Sequence, residues 1–233
     1  MNYQTLKAKQ RATRDPFPDA LGLRVHRALS WLNKAEQCKD DKDAQFTFLW
    51  ISFNAAYAQS LESSRFSELE TLQLFLDKLC RLDKKEQLHH LLWNEFTSSI
   101  RLLIDNQYVF QPFWNYHNGK ISNREWKDKF SAAKRKANKA LANNDSTALL
   151  TVVLARLYTL RNQIIHGGAT WNSSANREQL RDVVNFLSKL VPMLIEIMME
   201  HPEALWGDAH YPVIKYRFNP RSSPSPSMDH QLL

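Results

Sequence analysis

The chain has 233 residues, of which 43% are hydrophobic and 24% charged, enough for one sizeable core and ordinary for a globular protein. Five glycines are few for a fold of tight hairpins, and strand-like alternation is scarce, so an all-α protein is expected. The formal net charge of +7 suits a polyanionic partner. Cys38 and Cys80 form no CxxC pair and no His/Cys cluster, which argues against a disulfide framework or structural zinc and for two buried thiols in a reducing compartment. The N-terminus lacks a signal-type apolar stretch. The best apolar run, 191–199, is too short for a bilayer and contains Glu196, so a cytoplasmic protein with no membrane segment is expected.

Residues 1–16 are polar and basic and read as a flexible arm. From Asp19 onward, Leu21, Val25, Ala28, Leu32 and Ala35 recur at helical spacing. After the polar break at 39–43, a second helix is predicted over 44–62. There Phe46, Trp50, Phe53, Tyr57 and Leu61 share one arc, with Asn54 inside it. Helices are predicted over 66–82 and 84–104, then an irregular, aromatic-rich connection over 106–120 and a basic helix over 123–142. A sixth helix starts after the Asn143-Asn144-Asp145-Ser146 cluster of capping residues and runs to Ile165, where His166-Gly167-Gly168 stops it. The seventh helix has the clearest stripe, Leu180, Val183, Val184, Leu187, Leu190, Val191, Leu194 and Met198, with a bend expected at Pro192. Residues 201–218 are expected to dock through Trp206, Tyr211 and Tyr216. The Pro/Ser-rich 219–233 is expected to be disordered.

The sixth helix carries the candidate chemistry. Leu150, Val153, Leu154, Leu160 and Ile164 lie within about 60° of Leu157, and Arg161 falls inside that arc at about 40°. A permanently charged guanidinium there must snorkel, pair with a carboxylate, or be held for an anion. His166 stands at the helix end, either as a simple C-terminal cap or as a proton-handling group one turn from Arg161. The two are about 140° apart on an ideal wheel, so convergence requires an unwound helix end or a second copy across a two-fold axis. Asn54 is either a satisfied structural residue or a partner for the end of the sixth helix. The basic helix, with Lys134, Arg135 and Lys136 among its cations, is either a solvated face or an RNA guide. Phe110, Phe113, Trp114, Tyr116 and His117 either pack under a loop or stack bases.

The string Arg161-Asn162-Gln163-Ile164-Ile165-His166 resembles the Arg-polar-x-x-x-His signature of HEPN domains, which are all-helical RNases and RNA-binding modules. Trp31-Leu32-Asn33-Lys34-Ala35-Glu36 and the later Trp50-x-x-Phe53-Asn54-x-x-Tyr57 are similar to the first two helices of one HEPN subgroup. The resemblance covers about 20–62 and 146–200 and leaves 84–142 as a helical insertion in a domain spanning 17–200. It implies an antiparallel helical bundle and a homodimeric, cofactor-free and metal-independent endoribonuclease. Arg161, Asn162 and His166 are then catalytic, and Asn54, Lys134, Arg135 and Lys136 are candidate substrate-binding residues. The expected product is a 2′,3′-cyclic phosphate. A toxin or antiviral effector, with an antitoxin or regulatory protein as partner, is the role implied. A non-catalytic HEPN module binding RNA or protein is the alternative. Some HEPN toxins carry a modified Tyr two residues after the His. Gly168 stands there, so that regulation is not implied.

Overall fold

The computed structural model describes residues 1–58, 68–174 and 177–208, and among these the chain is all-helical. Ten α-helices follow in order: α1 (Tyr3–Thr13), α2 (Asp19–Gln37), α3 (Lys42–Tyr57), α4 (Glu68–Leu82), α5 (Gln87–His90), α6 (Thr97–Asp105), α7 (Gln111–His117), α8 (Asn123–Ala142), α9 (Ser146–Ile165) and α10 (Arg177–Glu200). Leu61, the start of the predicted third helix, Tyr211, Tyr216 and the 219–233 tail lie outside the described residues.

The central unit is an antiparallel hairpin of α2 and α3. Trp31 stacks on Phe48 at 5.6 Å, Ser52 Oγ donates to the Ala28 carbonyl at 2.7 Å, and Arg24 Nη1 donates to the Ala56 carbonyl at 2.9 Å. Their residue numbers rise on one helix as they fall on the other. Helix α3 begins where Asp41 caps it, its Oδ1 accepting from Ala44 N at 3.0 Å. Helix α10 packs on this hairpin through the predicted stripe, all of which is buried, and it runs through Pro192 without ending. Helix α9 packs against α3 and α4, with Trp50 and Tyr158 rings 6.2 Å apart.

Several expectations are corrected. The arm at 1–16 contains α1, which starts on an Asn2 cap and docks through buried Leu6. Tyr3 N donates to Glu36 Oε1, and Lys9 Nζ reaches Glu196 and Glu200 at 2.7 and 2.6 Å. The helix expected over 84–104 is broken. Glu86 takes a left-handed φ of 51°, a π turn occupies Leu91–Glu95, and Phe96 leaves helical geometry before α6. The Thr97 hydroxyl donates to the carbonyls of Leu92 and Trp93, an alternative to a continuous ladder. The irregular 106–120 connection holds a 3-10 turn, Gln107–Val109, and α7.

The 84–142 region is not a peripheral addition, because Leu88, Leu91, Leu92, Ile100, Leu103, Ile104 and Val109 belong to the single core. Its anchor is Arg156 of α9, 2% exposed. That guanidinium lies 4.3 Å from the Phe110 ring and 5.2 Å from the Phe130 ring, and donates to the Ile104 carbonyl. The cysteines are free and half-buried rather than fully buried, and burial pushes the Cys80 thiol up to about 11. Past α10, Trp206 is buried as expected, its Nε1 donating to the His201 carbonyl and its ring set edge-on to Phe75. No described helix is long and apolar enough to cross a membrane.

Candidate active site

The site residues lie at the C-terminal end of α9. This helix starts on Asp145, whose Oδ1 accepts from Ala148 N at 2.9 Å. It stops in a paired-bond cap of the Schellman type. Gly167 adopts φ +69°, its N–H donates to the Ile164 carbonyl at 3.2 Å, and Gly168 N–H donates to the Gln163 carbonyl at 2.7 Å. A Cβ on Gly168 would lie 3.1 Å from the Gln163 carbonyl oxygen, so both glycines have a local backbone reason to be there.

Arg161 is half-buried on the last full turn. Its Nη1 donates to Asn162 Oδ1 at 3.0 Å, its Nε is buried with no hydrogen-bond partner, and no carboxylate pairs with it among the described residues. Of the three fates open to this guanidinium, an internal ion pair is absent among the described residues. Snorkelling to solvent and holding an anion both remain, with the guanidinium plane set by a neutral amide. His166 is the C-cap residue and is exposed, and its N–H donates to the Asn162 carbonyl at 3.0 Å.

The loop after the cap is pinned to the start of α3. Trp171 Nε1 donates to Asp41 Oδ2 at 3.0 Å, Asn172 N to Asp43 Oδ2 at 3.3 Å, and Arg177 Nη2 to Asp43 Oδ2 at 2.7 Å. The Asp41 carboxyl is held below its ordinary value, first by the Ala44 N–H and against its burial, then by Trp171 and Arg177. Gln163 ties the same helix end to the 3-10 turn at Gln107–Val109 by donating to the Tyr108 carbonyl at 2.6 Å.

Arg161 and Asn162 are joined through their side chains, His166 follows at the helix end tied to Asn162 through the backbone, and the other candidates lie elsewhere. Asn54 is half-buried, and no hydrogen bond joins its amide to Arg161 or His166 among the described residues. The reason is direction. Helix α9 runs antiparallel to α3, so the site lies beside Asp41 and Asp43, about 16 Å along the axis from Asn54. Lys134 is paired with Asp105 at 2.7 Å, and Arg135 is exposed on α8. Lys136 lines a cleft with Asp77, Asp145 and Thr151 near the start of α9, at least about 15 Å along that helix from Arg161. These three cations do not join the site. Phe110 and Phe113 pack internally, against Phe130, Arg156 and Trp126, and not as an open stacking platform.

Two buried arginines went unnoticed in the sequence, Arg24 and Arg156, both drawn down to about 10 by burial. Arg24 lies about 60° from Leu21 on the α2 wheel, so helical arithmetic alone could have found it. Among the described residues no group of three or more His, Cys, Asp or Glu stands together as metal ligands. Comparison with known proteins returns no matching family model, no matching curated protein and no matching solved structure.

Proposed function

We propose that this chain is a metal-independent endoribonuclease of HEPN type, acting as a homodimer. The observation that carries the reading is Arg161, a half-buried guanidinium oriented by Asn162, with no carboxylate partner among the described residues, one turn before an exposed histidine. Arg161 binds the scissile phosphate and stabilises the charge that develops on it. The ribose 2′-oxygen attacks phosphorus, the bond to the 5′-oxygen breaks, and the products are a 2′,3′-cyclic phosphate and a free 5′-hydroxyl. His166 moves the proton, taking it from the 2′-hydroxyl or giving it to the leaving oxygen. The angle of about 140° between the two residues favours a shared cleft, with Arg161 of one copy opposite His166 of the other. Cytoplasmic action on cellular RNA, as a toxin or antiviral effector held in check by a protein partner, completes the reading.

The test is cleavage of single-stranded RNA by the purified chain in EDTA, with cyclic phosphate ends on the products. Arg161→Ala and His166→Ala each lower the rate by about 10²–10⁴-fold. Unchanged cleavage in both variants sinks the site. A second reading, a non-catalytic module that binds RNA or a partner, draws on the local role of His166, which is fully accounted for as the residue before a left-handed glycine. RNA binding by the parent chain without cleavage selects it.

A further inference from the structure

A groove with a cavity of about 430 Å³ opens between α6, α9 and α10, on the face of α9 that leads to Arg161. Its floor is apolar, with Val153 and Leu157 from α9 and Val183 and Phe186 from α10. Leu157 stands one turn before Arg161. At the edge, Leu102 is 69% exposed and Tyr108 48% exposed, so apolar surface continues beyond the cavity.

The ionisable side chains that line the rim are all acidic. Asp105, Glu178 and Asp182 line the groove and no Lys or Arg does, in a chain whose net charge is +7. Lys134 pairs with Asp105 at 2.7 Å, and Arg181 stands 4.0 Å from Glu178. Asp182 has no ion pair among the described residues. Asp182 is thus the uncompensated negative charge on the rim, and it favours a cation over a phosphate beside it.

We infer that this groove docks an amphipathic segment of a partner protein, with apolar side chains on the floor and a Lys or Arg against Asp182. A continuous apolar strip with a charged flank is what a helix laid in a groove requires. The extension over Leu102 and Tyr108 fits such a segment better than a small molecule confined to the cavity. The occupant touches the helix that carries Arg161. It is therefore placed to change that residue's setting, a consequence that rests on the function proposed above.

The binding is tested on the full chain by fluorescence anisotropy. The probe is a fluorescein-labelled helical peptide with leucines on one face and lysines on the other, compared with the same peptide carrying glutamates. The lysine peptide binds saturably and roughly tenfold or more tighter than the glutamate peptide. The overall charge of +7 alone demands the reverse order, so the sign of the preference is diagnostic. Asp182→Lys and Leu102→Glu, both at partly or fully exposed positions, each weaken the lysine peptide roughly tenfold with unchanged circular dichroism. Arg161→Ala leaves peptide binding intact, which separates this inference from the fate of the ribonuclease reading. Equal or tighter binding of the glutamate peptide overturns it, as does indifference to both groove variants. Binding of a single-stranded RNA oligonucleotide that is lost in Leu102→Glu reassigns the groove to RNA and overturns it too.

Discussion

Arg161 Nη1 donates to the side-chain oxygen of Asn162, its neighbour in the chain, at 3.0 Å. The acceptor is a neutral amide, so the bond fixes the guanidinium plane without cancelling its charge. Asn162→Ala removes the orientation and keeps the charge. Asn162→Asp replaces a neutral acceptor with an anion that competes with phosphate for the same nitrogen. Affinity for a labelled single-stranded RNA, read by anisotropy, falls by roughly threefold in the alanine variant and by roughly tenfold or more in the aspartate variant. Equal affinity in Asn162→Asp and parent chain would falsify the orienting role.

The α9 cap makes a sharper stability prediction than any contact in the site. Gly167 holds φ +69°, where a Cβ costs about 1–2 kcal/mol. Gly167→Ala lowers the melting temperature by about 2–4 °C per kcal/mol for a chain of this size. Gly167→Asn recovers part of the loss, because Asn tolerates the left-handed region better than Ala. Differential scanning calorimetry of the three proteins checks the order Gly, Asn, Ala. An alanine variant as stable as the parent removes the cap from the account.

What could be read along the chain was what is decided locally. The bounds of α9, its Asp145 cap, its glycine stop and the α10 stripe all follow from neighbours within a few residues. Helix α1 is not legible in the sequence because what makes it a docked helix is remote. Leu6 is its one fully buried apolar side chain, and its polar partners Glu36, Glu196 and Glu200 are far away in sequence. The role of Arg156 is hidden for a related reason. It sits about 100° from Leu157 and so outside the counted arc, yet Phe110 and Phe130 cover that second face of α9. Asn54 shows the other limit. Periodicity assigns a residue to a face, but not to one end of a neighbouring helix, and the antiparallel run of α9 puts the site at the wrong end for it.

Asp41 links the stability of the site loop to pH. Its carboxylate caps α3 through one oxygen and accepts from Trp171 through the other, and both bonds are stronger to the ionised form. The folded pKa lies below the ordinary 3.8, chiefly because of the Ala44 N–H, so the stabilisation is fully present above that value. It is shed as pH falls through the lower, folded value. Asp41→Ala costs about 1 kcal/mol at neutral pH, the usual worth of such a cap. The gap between parent and variant melting temperatures stays constant from about pH 7 to about 5 and narrows below about 4. Asp41→Asn keeps a capping oxygen, loses less, and its own melting temperature carries no such step. A gap that persists unchanged at the lowest pH would mean that the carboxylate is not what holds the turn.

Helix α1 separates packing from charge. Leu6 is 1% exposed, and Leu6→Ala costs about 2–5 kcal/mol, as deletion of a buried leucine side chain does. Lys9 bridges to Glu196 and Glu200 but keeps contact with water, so Lys9→Ala costs about 1 kcal/mol or less. Added salt shrinks the Lys9 effect and leaves the Leu6 effect alone, because screening acts on exposed charge and not on a cavity. Urea unfolding of both variants at low and high salt distinguishes them. A loose arm predicts that both changes stay within about 0.5 kcal/mol of the parent. Activity offers a second check. The α1 latch grips the far end of α10, about 28 Å along that helix from Arg177 and the loop that follows the α9 cap. Leu6→Ala therefore lowers stability, and under the proposed ribonuclease function the folded fraction keeps the parent's cleavage per molecule; a matched loss of both would place α1 in the site after all.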